Sequence, residues 1–245
     1  MTAERTSETG AGGVRAEIHH SHRDVTGGWL RPAVFGAMDG IISNVSLIAG
    51  FVGAQASPHL IILSGLGGLI AGAFSMGVGE YVSVASQGDL ARAEIEVERE
   101  ELLRNAHAER EELAQLYVAR GLDPELAREV ARQLSRDPDR ALEIHAREEL
   151  GLAPGELPSP LLAAGSSFLS FSIGAFVPLL PFLLGAVSFW PAIVLTAVAL
   201  FVAGAVVARI TARPWWFGGL RQLAFGAAAA AVTYGVGAAI GVHVA

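Results

Sequence analysis

Polar and apolar positions do not alternate along this chain. They fall in blocks. Five stretches, roughly 33–56, 59–87, 160–185, 189–210 and 217–243, are almost free of charge, and each is long enough for the about 20 apolar residues that a helix needs to cross a bilayer. The breaks between them are short, Ser57-Pro58-His59 after the first and Ser188 to Pro191 after the third. Pro178 and Pro181 fall inside the third stretch, where a kink is expected. The second and fifth are rich in glycine and alanine, which weakens a helix in water but lets helices approach closely in lipid.

Between the second and third stretches lies a polar insert, 89–156, with 18 acidic residues and 10 arginines, a net of −8. The pattern predicts an all-α integral membrane protein: a tail (1–32), transmembrane helices 1–2 (33–88), a three-helix insert (89–156) and transmembrane helices 3–5 (157–245). Within the insert, a first helix is expected over about 88–119, closed by Gly121. Asp123-Pro124 and Asp137-Pro138 open two shorter helices, and Gly151 closes the last.

Composition sharpens this picture. The chain is 52% hydrophobic with a mean hydropathy of +0.45, too apolar for a nucleic-acid binder with a basic surface. Cysteine and lysine are both absent, which excludes disulfides, thiolate metal sites, cysteine nucleophiles and lysine Schiff bases. Residues 1–32 lack the apolar core of a signal peptide. Four arginines precede the first stretch, ten lie in the insert and three lie between the fourth and fifth, so all 17 fall on one side. The positive-inside rule then predicts a multi-pass protein of the cell membrane with tail and insert cytoplasmic and the C-terminus opposite.

Two carboxylates lie inside predicted spans, Asp39 and Glu80. Each costs about 2.5–3.5 kcal/mol on insertion scales and commonly marks a pathway. Gly36, Asp39, Ser43, Ser46, Gly50 and Gly53 share an arc of roughly 100° on the first helix. Gly65, Gly72, Met76, Glu80, Ser83 and Gln87 share roughly 80° on the second. These stripes read either as close-packing seams or as the lining of a hydrophilic path. Carboxylates alone suit hard divalent ions, and the thioether of Met76 moves preference towards a transition metal such as Fe²⁺.

The first insert helix carries Glu94, Glu98, Glu101, Asn105, Glu109 and Glu112 in one arc of roughly 80°. Of these glutamates only Glu101 has an arginine, Arg104, at i+3; Glu98, Glu109 and Glu112 have none three or four positions later. Such a face is either a solvated surface or a repulsive stripe that a divalent ion relieves. If the second span runs unbroken into the insert, Met76 and Glu112 lie ten whole turns, about 54 Å, apart on one face. His145 and Glu149, one turn apart, are further candidate ligands.

Gly28-Trp29-Leu30-Arg31-Pro32 with Met38-Asp39-Gly40-Ile41-Ile42-Ser43 resembles the first-span signature of the vacuolar iron transporter family, in its bacterial-type form. Ser75-Met76-Gly77-Val78-Gly79-Glu80-Tyr81-Val82-Ser83-Val84-Ala85-Ser86-Gln87 resembles its second-span signature, and Ile173 to Pro181 its third. The resemblance implies a homodimeric exchanger moving Fe²⁺, often also Mn²⁺, out of the cytosol against protons, with the metal as substrate and no permanently bound cofactor. It implies a path between subunits lined by Asp39, Met76 and Glu80, and metal capture by Glu98, Glu101, Glu109, Glu112 and Glu149. The eukaryotic pattern has methionines shortly before the last glutamate, where this chain has His145 and Ala146. The expected partners are membrane lipid, divalent ions, protons and a second copy. The tail histidines His19, His20 and His22 read as a mobile segment or a metal hand-over point.

Two other readings remain: a membrane-anchored metal sensor without flux, and a membrane-anchored ferroxidase. The second wants Glu-x-x-His on two helices, and the chain has only Glu17 to His20. No zinc-protease, nucleophile-elbow or phosphate-loop motif is present, which argues against an enzyme.

Overall fold

The computed structural model describes residues 28–152, 155 and 157–244, so the tail histidines His19, His20 and His22 lie outside the described residues. They form seven α-helices: α1 (Leu30–Gly53), α2 (Pro58–Ala119), α3 (Pro124–Leu134), α4 (Pro138–Glu148), α5 (Pro160–Leu183), α6 (Trp190–Ile210) and α7 (Trp215–Val244). Five are long and apolar enough to cross a membrane: α1, the first part of α2, α5, α6 and α7.

The helix ends follow local chemistry. Ser57 Oγ accepts from the Leu60 amide ahead of Pro58, and Ser159 Oγ accepts from the Leu162 amide ahead of Pro160. Asp123 caps α3 by accepting from the amides of Glu125 and Leu126, and Asp137 caps α4 by accepting from that of Arg140. Gly121 (φ 99°) and Gly151 (φ 65°) follow α2 and α4 in the left-handed conformation that ends a helix at least cost.

Helix α1 is the hub of the apolar bundle. It meets α5 so closely that a Cβ on Gly40 would strike the Phe171 carbonyl, and one on Gly174 would strike that of Ala37. Asn44 reinforces the seam, its Nδ2 donating to Ala175 O at 2.6 Å. A core of Ile48, Ile61, Leu179, Phe182 and Ala192 joins α1, α2, α5 and α6. On the other side, Gly53 touches the Tyr234 carbonyl of α7.

The small-residue stripe of α1 therefore does not act as one face. Gly36 packs on Ser167 and Ser170 of α5 and Gly53 on α7, while Asp39 and Ser43 turn towards α2. An arc of roughly 100° is wide enough to touch three neighbours, so a shared arc did not mean a shared partner.

Helix α2 is a single run of 62 residues with one break, at Asn105 (φ −132°, ψ 36°). A shared face from Met76 to Glu112 requires an unbroken helix, and the break at Asn105 removes that condition. Beyond it, Leu113 and Ala114 pack with Ala131 of α3 and, partly buried, Ile144 of α4. Ala127, Ala131 and Ala146 are fully buried there. Such small side chains allow a three-helix unit with little apolar mass.

Candidate metal centre and membrane cavity

Glu98 and Glu109 come from the two arms of α2, and His145 and Glu149 from the end of α4. Each offers one ligand atom, and these atoms all lie within 4.8 Å of one another. The break at Asn105 makes this possible, because residues 11 apart on an unbroken helix are about 16.5 Å apart along its axis. The α4 pair follows from helical spacing: four residues place His145 and Glu149 on one face.

His145 is fully buried. Its Nδ1 lies 2.7 Å from Glu149 Oε1 and 3.1 Å from Glu98 Oε1. Only the Glu149 contact has hydrogen-bond alignment, so among the described residues Glu98 Oε1 is buried without a hydrogen-bond partner, as is His145 Nε2. Buried polar atoms are normally paired, and a lone carboxylate oxygen among other acids is costly. Burial holds the Glu98 carboxyl above the usual carboxylate range, and the negative charge of Glu149 raises it further. Glu109 is raised for the same reason, first by burial and then by Glu112.

Three carboxylates and one imidazole form a compact mixed oxygen and nitrogen donor set. Such a set suits a borderline divalent ion, and ionic charge would offset the repulsion among the acids. The other candidate glutamates take different positions. Glu101 accepts from Asn105 Nδ2 at 2.9 Å. Glu112 is exposed yet near enough to raise both buried acids. Glu94 is exposed and stands outside the group of four. Ala146 is buried and offers no ligand atom.

Next to this centre, Glu148 joins α4 to the end of α2. Its Oε1 accepts from the Tyr117 hydroxyl at 3.4 Å, and its other oxygen pairs with Arg120. The Arg120 guanidinium also sits 5.8 Å from the centre of the Tyr117 ring. The sequence reading did not single out these residues. Their only signal was their place beside Glu149.

In the apolar bundle, Asp39, Ser43 and Met76 line one open cavity of about 340 Å³ with Asn44, Ser75 and Phe171. Met76 also packs partly on the Ala73, Phe171 and Ala175 core, so it serves packing and lining together. Asn44 was not foreseen. Its amide nitrogen is fixed to α5, and its Oδ1 is buried with no partner among the described residues. Glu80 does not line this cavity. It borders two others, one with Gln87, Leu152 and Pro158 and one with Met38, Val207 and Thr211, and Arg31 lines both. Ser46 is buried, its hydroxyl unpartnered among the described residues, and lies outside the cavity.

A sequence profile described as "VIT family" matches residues 30–238. The chain belongs to the vacuolar iron transporter (VIT) family. Among its VIT relatives, the vacuolar iron transporter of Acanthamoeba castellanii is 41% identical over 221 residues, covering 86% of this chain and 78% of that one. Vacuolar iron transporter 1 of Oryza sativa subsp. japonica is 33% identical over 229 residues, covering 91% and 90%. Vacuolar iron transporter 1 of Arabidopsis thaliana is 33% identical over 193 residues, covering 76% of each. The membership spans all five apolar helices and the insert, so the cluster and the Asp39 cavity both lie inside the matched region.

Proposed function

We propose that this protein carries Fe²⁺, and also Mn²⁺, out of the cytosol across the cell membrane in exchange for protons, working as a homodimer. The observation that carries this reading is the Glu98, Glu109, His145 and Glu149 cluster, two of whose members, Glu98 and Glu109, stand on the helix that bears Met76 and Glu80. Its relatives are named vacuolar iron transporters, which supports the metal-transport part of this reading. The one-sided arginines support a cytoplasmic insert and tail.

The mechanism has three stages. The insert captures the ion, with Glu98, Glu109, Glu149 and one nitrogen of His145 as ligands, and Glu101, Glu112 and Glu94 drawing cations towards it. Binding favours the deprotonated form of the two raised carboxyls. The ion then passes Glu80, about 27 Å along α2 from Glu98, and reaches Asp39 and Met76, with Ser43 supplying an oxygen on α1. Protons entering from the far side compete for the carboxylates and release the ion.

Support for a second copy comes from the open side of the Asp39 cavity. Ser43 and Ser75 line it and are exposed at membrane depth. Lipid is a poor neighbour for a carboxylate, whereas a second copy would close the cavity into a path.

The test is metal uptake into proteoliposomes, comparing Fe²⁺, Mn²⁺, Co²⁺ and Zn²⁺ with and without an imposed pH gradient. Uptake of Fe²⁺ or Mn²⁺ that accelerates with the gradient and moves protons the other way is expected. Stoichiometric metal binding without flux would instead establish the sensor reading.

A further inference from the structure

Helix α7 crosses two neighbours at glycine contacts. Near its start it crosses α6, where a Cβ on Gly204 or on Gly218 would strike the other's carbonyl oxygen. Near its end it crosses α1, where a Cβ on Gly237 would strike the Gly50 carbonyl. Between these points α7 leans from α6 towards α1. The divergence leaves a cleft of about 720 Å³ bounded by α1, α6 and α7.

The cleft is amphipathic along its length. Its mouth carries Ser188, Trp190 and Tyr234, which offer two hydroxyls and an indole N–H. Its deep end is formed by Leu200, Leu223 and Gly226. Between them the wall holds one hydroxyl, that of Thr196, which is buried and unpartnered among the described residues. From Trp190 to Leu200 is ten residues of helix, about 15 Å. That equals half of a hydrocarbon core about 30 Å thick, the depth of one leaflet. Trp and Tyr at the mouth match the residue types that settle at the membrane–water boundary.

We propose that this cleft binds one acyl chain of a phospholipid from the leaflet opposite the insert. The ester region lies at Ser188, Trp190 and Tyr234, and the chain runs down to Leu200 and Gly226. A water-soluble ligand would leave most of such a wall unsatisfied, whereas an alkyl chain matches it in polarity and in length. The seated chain packs on the back of the helix that bears Asp39, since Val45 lines this cleft and Asn44 lines the Asp39 cavity. This inference rests on the membrane assignment alone and stands whether or not the protein transports metal.

The test uses the full chain in detergent, titrated with phosphatidylcholine brominated on one acyl chain. Trp190 reports by fluorescence quenching, in a variant with Trp29→Phe, Trp215→Phe and Trp216→Phe. Quenching should saturate at one lipid per chain. Ala230→Phe, which fills the cleft, should weaken the apparent affinity about tenfold, the loss expected from two displaced methylenes. Native mass spectrometry of the wild-type chain supplies a measurement independent of the tryptophan replacements: one retained phospholipid, lost in Ala230→Phe. Linear, unsaturable quenching that the filling variant leaves unchanged would overturn the proposal. So would a disulfide between two copies of an Ala227→Cys variant, because the natural chain has no cysteine and such a link would place a second copy in the cleft.

Discussion

Glu98 and Glu109 stand eleven residues apart on one helix, yet their carboxylates meet in a group whose ligand atoms all lie within 4.8 Å of one another. The break at Asn105 is what joins them. Like charges at that distance repel, and both groups are largely buried. The arrangement is therefore costly when empty and favourable around a divalent ion.

Replacing either acid should separate those two effects. Glu98→Gln or Glu109→Gln should lower Mn²⁺ affinity at the cluster about tenfold or more, about 1.4 kcal/mol. The same changes should leave the metal-free protein equally stable or more so, because a repelled carboxylate is removed. Calorimetric titration and thermal unfolding in chelator read the two quantities. Unchanged affinity would return these glutamates to the status of a solvated face.

The hinge itself can be tested. Asn105→Ala favours regular helix by roughly half a kcal/mol and removes the side-chain bond to Glu101. The straighter α2 should hold Glu98 and Glu109 apart and weaken Mn²⁺ binding without loss of helix content. Circular dichroism and titration together decide this.

The pH dependence follows from the raised carboxyls. Between their ordinary value of 4.5 and their raised folded values, the native chain binds more protons than the unfolded chain. Their relative contribution to stability is fully present below 4.5 and is lost as pH rises through the folded values. Glu129, held at about 2 by hydrogen bonds from Arg132 and Gln133, is ionised in the folded state and mostly ionised in the unfolded state above pH 5, so it adds only a small opposing slope there. Metal-free protein should thus melt at higher temperature at pH 5 than at pH 7.5. Saturating Mn²⁺ should shrink or reverse the difference, since the ion binds the deprotonated form.

Glu148 ties α4 to α2 through Tyr117 and Arg120, one residue from Glu149. Arg120→Gln should cost about 0.5–1 kcal/mol of insert stability by leaving Glu148 without its cation, since Arg120 is about half exposed. It should also lower metal affinity while keeping the number of bound ions, and Arg120→Lys should recover part of both. A change in stoichiometry would show that Arg120 does more than hold α4 in place.

Asp39 lies in a different compartment from the cluster. Asp39→Asn should abolish uptake into proteoliposomes while Mn²⁺ affinity of the insert stays within about twofold, as expected of sites without shared partners. Near-normal uptake would remove Asp39 from the path.

Much of this was legible along the chain. Five nearly uncharged runs gave the five long helices, because a bilayer-length apolar segment has few other uses. Asp-Pro and glycine gave the bounds of α3 and α4, because capping is decided within four residues. The i,i+4 pairing of His145 with Glu149 was equally local. The phase of the glutamate arc was not enough, since one non-helical residue at Asn105 turned a single face into two opposed arms. Asn44 was invisible because its partner lies 131 residues away on α5. The sequence by itself determined helix identity, helix ends and which residue types carry charge. The tertiary structure alone decided that Asp39 and Met76 share a cavity from which Glu80 is separated, and that four of the seven insert candidates converge. Periodicity constrains the angle of a side chain about its own helix axis, while convergence depends on how separate axes cross, and that is set by contacts such as Gly40 with Phe171.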